Sequence, residues 1–197
     1  AAGGSPQSTG RAVVLGTGGG TVDVTGTLTA TGALSGSGPL TKAGSGTLSL
    51  ANAAADGNSG FDGDVTLAAG TLALDSAKAL GGANAVTLSS TVASTLAVNT
   101  DTTVGALAGG AAGATPFGSV VVAAGKTLSA DGDGTALAAA LSGAGALAKV
   151  GAGTLVLAGA NAHTGGTVVS GGTRSGPSAH SASALHRQRD HSSASLR

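Results

Sequence analysis

The residues that could carry chemistry are few: nine aspartates and four histidines, with no glutamate and no cysteine, in a chain of 197 residues. Gly125-Lys126-Thr127 has the ending of a phosphate-binding loop, but the full motif needs a glycine where Val120 stands. It therefore reads as a tight turn between two strands. Asp131-Gly132-Asp133-Gly134 and Asp62-Gly63-Asp64 resemble pieces of calcium loops. An EF-hand loop starting at Asp131 would need a bidentate Glu where Ser142 stands, and the Gly-rich calcium nonapeptide is absent. Asp–Gly turns with solvated carboxylates are the simpler reading. Gly57-Asn58-Ser59-Gly60 offers a hydroxyl without a base, since His163 is the one histidine before residue 174 and no Gly-x-Ser-x-Gly elbow is present. His180, His186 and His191 fall in a polar C-terminal stretch that gives a metal no rigid scaffold. Thr25, Thr27, Thr29 and Thr31 alternate onto one side, as in flat threonine arrays that bind ice. The array does not continue turn after turn along the sequence, so strand propensity on a solvent face accounts for it. No catalytic residue, metal ligand or cofactor is assigned.

Residues of this kind need elements to position them, and the elements here are short strands. Candidates with period-two alternation are Val13–Leu15, Thr21–Val24, Thr27–Thr29, Thr47–Leu50, Val65–Leu67 and Thr71–Leu74. They continue with Val86–Leu88, Thr95–Val98, Val104–Leu107, Ser119–Val122, Thr127–Ser129, Ala146–Lys149, Thr154–Leu157 and Thr167–Ser170. Gly, Asn, Asp or Ser bounds each one. Leu and Val face one side of these strands, Thr and Ser the other. No strand is long enough to bury its own apolar side, so each needs a neighbour above and below, which is the mark of a stacked repeat. Composition agrees. Gly contributes 37 residues and the aromatics are two Phe, too little bulky filler for an ordinary globule but enough for a narrow bore filled by Leu, Val and Ala. Glycine has no strict third-residue period, which excludes collagen. Leu and Val recur between the glycines, which argues against a flexible linker.

Two stretches are copies. Ser35–Ala51, SGSGPLTKAGSGTLSLA, aligns without gaps on Ser142–Ala158, SGAGALAKVGAGTLVLA, at an offset of 107. Lys42, Gly44, Gly46, Thr47, Leu48 and Leu50 of the first match Lys149, Gly151, Gly153, Thr154, Leu155 and Leu157 of the second. The second continues through Asn161, Gly165 and Gly166 to Thr173, whereas the first fades after Leu50. The run L-x-K-x-G-x-G-T-L-x-L, followed by G-A-N-A-H-T-G-G-T-V-V-S-G-G-T, resembles the autotransporter-associated β-strand repeat of bacterial passenger domains (type V secretion). His163 stands where that family usually has an aromatic.

The resemblance implies an all-β, right-handed, single-stranded parallel β-helix. At one turn per roughly 20 residues, residues 11–173 would make about eight turns and a rod of roughly 40 Å. A column can be drawn through Leu28, Leu48, Leu67, Leu88, Leu107, Leu128, Leu147 and Val168. It disagrees with the copy by eight residues, which an insertion at Gly109–Pro116 would reconcile. Ala1–Gly10 reads as a frayed entry. Residues 174–197 abandon the pattern for Ser, Arg and His, as a polar tail or a shifted reading frame would, and are expected to be disordered.

Residues 1–173 hold eight of the nine aspartates and five of the nine Lys and Arg. Such a body has no basic patch for nucleic acid. The absence of cysteine fits a chain that crosses an envelope unfolded. No signal peptide or transmembrane run is visible, and the chain reads as a fragment. By the resemblance it would be a structural stalk segment of a surface or secreted protein, not an enzyme. Its partners would be adjoining turns and an outer-membrane β-barrel outside this sequence. The alternatives are an adhesin, a virulence factor whose lateral face binds host glycans or proteins, and a piece of an enzyme passenger whose catalytic part lies elsewhere.

Overall fold

The computed structural model describes residues 6–82, 84–111 and 117–176. Within them every strand pairing is parallel, and no helix is long and apolar enough to cross a membrane. The chain is a parallel β-solenoid of about eight turns with three faces. The first face stacks Gln7–Thr9, Thr27–Ala30, Thr47–Leu50, Gly70–Leu74, Ser94–Val98, Ser119–Val122 and Ala140–Ser142, with Asn161 bridged to Leu141 above them. The third face stacks eight strands: Gly20–Asp23, Leu40–Ala43, Val65–Leu67, Val86–Leu88, Leu107–Gly109, Ala136–Leu137, Thr154–Leu157 and Thr173–Ser175.

The second face is broken. Val13–Val14 and Leu34–Ser35 pair at one end, and Thr102–Val104, Thr127–Ala130, Ala146–Lys149 and Thr167–Val169 at the other. Between them, irregular turns at 52–60 and 76–82 take the place of strands. Those turns are still anchored inward: Asn58, Ala79 and Leu80 are buried, as is Phe61 just after the first turn, and Asn58 Nδ2 donates to the Ala79 carbonyl at 2.8 Å.

The bore is a continuous aliphatic column. On the first face Leu48, Leu72, Leu96, Val120 and Leu141 lie directly above one another, each at most 3% exposed. Each such side chain contributes about 1.5–3 kcal/mol relative to exposure, while hydrogen bonds between turns satisfy the backbone.

Three of the seven steps in the column drawn from the sequence hold. Leu28 does stack on Leu48, Leu67 on Leu88 and Leu128 on Leu147. The steps from Leu48 to Leu67 and from Leu107 to Leu128 cross faces, Leu48 meeting Leu72 instead; within the third face Leu88 meets Gly109 while Leu107 lies on Val86, and on the second Leu147 meets Thr167. Val168 points outward, 58% exposed. The reason is unequal turn length. The turn from Leu67 to Leu88 is distinctly shorter than the one from Gly109 to Leu137. The longer step spans the segment read as an insertion, of which 112–116 lie outside the described residues.

Unequal turns also hid the threonines. Thr27, Thr47, Thr71 and Thr95 stack in register and are followed by Ser119. Thr21, Thr41, Thr66 and Thr87 do the same on the third face. Of the array read at Thr25, Thr27, Thr29 and Thr31, the Thr27 row continues turn after turn, whereas the Thr29 row passes through Ser49, Ala73 and Ala97 to Val121 and lapses as expected.

Three further differences concern boundaries. Gln7–Thr9, inside the stretch read as a frayed entry, pairs with Leu28, Thr29 and Ala30. Val104–Leu107 is a corner between two strands, bent at Gly105. Strand pairing runs on to Ser175, two residues into the segment read as tail, and residues 177–197, with His180, His186 and His191, lie outside the described residues.

Candidate functional site

The candidate site of this chain is the corner each copy builds around a lysine. Lys42 and Lys149 occupy inward positions near the ends of Leu40–Ala43 and Ala146–Lys149 and are fully buried. An ammonium in an aliphatic bore needs acceptors, or its desolvation is uncompensated. Lys42 Nζ donates to the carbonyls of Ala43 at 2.6 Å, Gly44 at 2.9 Å and, one turn higher, Ala69 at 3.2 Å. Lys149 Nζ donates to the carbonyls of Val150 and of Gly151, the latter at 3.1 Å, and lies 3.6 Å from the half-exposed Asp131 carboxylate. Each lysine thus caps the carbonyls that point inward where the chain turns the corner.

An aspartate sits one turn beneath each lysine, in the same register. Asp23 is paired with Ala43, the residue after Lys42. Ala130 is paired with Lys149, which places Asp131 under Val150. Burial pulls the Lys42 ammonium below its ordinary value, and the Asp23 charge opposes that shift.

The glycines of the motif follow from the same geometry. Gly44 and Gly151 have φ of 74° and 66°, a conformation that side chains resist. Gly46 and Gly153 pack so closely on the turn below that a Cβ would overlap the carbonyl oxygens of Gly26 and Gly132. Thr47 then starts the next strand, its N–H donating to Gly26 at 2.7 Å, and Thr154 starts the corresponding strand in the second copy. Leu48, Leu50, Leu155 and Leu157 enter the bore.

The sequence copies do not occupy the same face. Lys42 lies on the third face and its following strand on the first; Lys149 lies on the second face and its following strand on the third. The offset between the copies is five turns less one face, so Lys42 shares a column with Leu157. The long turn from Gly109 to Leu137 therefore accounts for only part of the disagreement between copy and column; the rest is a change of face, and the corner is a local device that works on any face.

Asn161 Nδ2 donates to the Gly159 carbonyl at 3.1 Å and begins the last turn. A Cβ at Gly165 would overlap Gly145 in the turn below, and Gly166 has φ of 84° in open space. The corresponding residues of the first copy were missed. Asn58 is buried; its Oδ1 accepts from Leu34 N–H at 2.8 Å while its amide reaches Ala79 in the turn above. Phe61 fills the bore beyond it, 1% exposed. A Cβ at Gly63, two residues on, would overlap Gly38, as Gly165 does with Gly145 two residues after His163. Asn58 follows Leu50 by four residues more than Asn161 follows Leu157, which is why a gapless alignment stopped at Leu50.

The other polar groups singled out also hold turns together. Asp64 accepts from Ala85 N–H at 3.1 Å and Asp101 from Thr127 N–H at 2.8 Å, each one turn higher. Asp133 accepts from Thr135 N–H at 2.9 Å, and that bond holds its carboxyl below the usual range. Residues 125–127 close a turn in which Lys126 N–H donates to Ala123. Among the described residues, no three His or Asp side chains converge closely enough to hold a metal ion.

The family model of the passenger-associated-transport-repeat matches residues 40–74 and 147–173. The two matches contain both lysine corners, and the first runs on through Asn58 and Phe61. No curated protein and no solved structure matches the chain significantly.

Proposed function

We propose that this chain, which carries two passenger-associated-transport-repeats on a parallel β-solenoid and is consistent with an autotransporter passenger, works as a structural stalk segment of a secreted or surface-exposed protein. It holds a functional part away from the outer membrane, which a β-barrel encoded outside this sequence would span. One observation carries the reading: buried or turn-bridging polar side chains are bonded to the backbone of their own or an adjoining turn. Lys42, Asn58, Asp64 and Asp101 each reach the neighbouring turn, and Lys149 caps its own corner. Such groups set the stacking, and no catalytic role is assigned to any described residue. In secretion, each turn that stacks outside the cell would bury more of the aliphatic column and favour outward movement.

An adhesin is the second reading, and the first face favours it. Its outward row Thr27, Thr47, Thr71, Thr95 and Ser119 carries no charge and lies on one sheet; in the row beside it Ser49 and Ala73 are covered, while Thr29, Ala97 and Val121 are not buried. Applying the purified chain to a glycan array and to host cells separates the two. A stalk gives no saturable binding; saturable binding lost on Thr71→Lys would replace the stalk by an adhesin.

A further inference from the structure

The last turn of the rod hangs on one side chain. From Ala160 to Gly176, His163 is the only buried residue, 4% exposed. Val168 and Val169 are at least half exposed. Among the described residues, Thr167–Val169 and Thr173–Ser175 are terminal strands, each paired along one edge only. The imidazole sits at the corner between Asn161 and Thr167, with Nε2 2.9 Å from Thr167 Oγ1. Its Nδ1 is buried and has no hydrogen-bond partner.

We propose that His163 makes the final turn, residues 161–175, an acid-releasable element: closed at neutral pH, opened when the imidazole takes a second proton, while the turns beneath stay stacked. The geometry supplies the cause. A proton on Nδ1, buried and without a hydrogen-bond partner in the closed turn, would create a desolvated cation beside Arg174. Arg174 is the charged group facing it from the third face. Lys149, on the strand beneath, is turned to the opposite corner and bonded to Val150 and Gly151. Residues 142–145, Thr154–Leu157 and Thr167–Val169 contribute no titratable side chain. Burial first, and the Arg174 charge second, hold the imidazole below its ordinary value, with the Gly166 backbone pulling the other way.

The sign follows. A depressed folded value means that the open turn binds the proton more readily than the closed one. The contribution of His163 is thus intact above the ordinary imidazole value, about 6.5, and is lost as pH falls below it. Opening would expose the unpaired edges of Ala146–Lys149 and Thr154–Leu157, which can then accept another strand.

Hydrogen exchange on the full chain between pH 7.5 and 5, corrected for intrinsic rates, tests this. Protection of residues 161–175 should fall by up to about tenfold per pH unit below 6.5, with residues 65–141 unchanged. His163→Phe should remove the pH dependence. If that variant is unprotected at both ends of the range, Arg174→Gln decides: its last turn should hold to lower pH. Flat protection in the unaltered chain, the same decline in His163→Phe, or an Arg174→Gln profile identical to the parent overturns the proposal.

Discussion

The two repeats share a motif and differ in company. Residues 40–74 have turns stacked on both sides, and their Asn–aromatic corner is filled by Asn58 and Phe61, with Asn58 bonded both downward to Leu34 and upward to Ala79. Residues 147–173 end the described rod, and the same corner holds Asn161 and His163 with turns beneath only. In a stack of near-identical units, stability is a sum of each unit and its interfaces. The same residue should therefore act globally in the first repeat and locally in the second.

The largest break in that comparison is in the bore. Leu72→Ala should cost about 3–4 kcal/mol in denaturant unfolding of the whole rod, because Leu72 is fully buried between Leu48 and Leu96. Leu155→Ala deletes the same atoms, but among the described residues only Thr173–Ser175 lies beyond it on that face. Its loss should be read as faster exchange in residues 154–175 with the denaturation midpoint moved less. Equal midpoint shifts would mean that the rod unfolds as one unit.

Next come the lysines. Lys42→Ala leaves three carbonyls in two turns without their donor, at a cost of about 3 kcal/mol. Lys149→Ala strips two carbonyls in one corner and frees a half-exposed Asp131, and should cost about 2 kcal/mol. Chemical denaturation of both variants side by side measures the difference. The asparagines give the smallest effect: Asn58→Ala should cost about 2 kcal/mol and Asn161→Ala about 1 kcal/mol. The latter should appear as fraying of the last turn. A larger loss for Asn161 would reverse the ranking.

Much of this was legible in the residues. The alternation in Thr47–Leu50 and Thr154–Leu157 marks the strands and the inward leucines, and the shared Lys-x-Gly-x-Gly marks the corner. Other features were not legible because they depend on the length of each turn, which local chemistry does not set. Lys42 and Lys149 look equivalent in sequence yet occupy different faces. The threonine rows emerge only when two turns of different length bring Thr27, Thr47 and Thr71 into line. Leu40–Ala43 escaped as a strand because Lys42 breaks its alternation, although the buried ammonium behaves as an inward residue. Asp23 and Asp131 were findable: each precedes its lysine by nearly one full turn of chain.

All strands of this rod run across its long axis. A pull applied from end to end therefore loads one coil's hydrogen bonds at a time, peeling them rather than shearing many in parallel. The molecule should lengthen under tension in a train of small, similar steps, each freeing a coil of about 20 residues and so roughly 70 Å of contour. It would behave as an extensible tether with graded give, not as a rigid strut that fails at once.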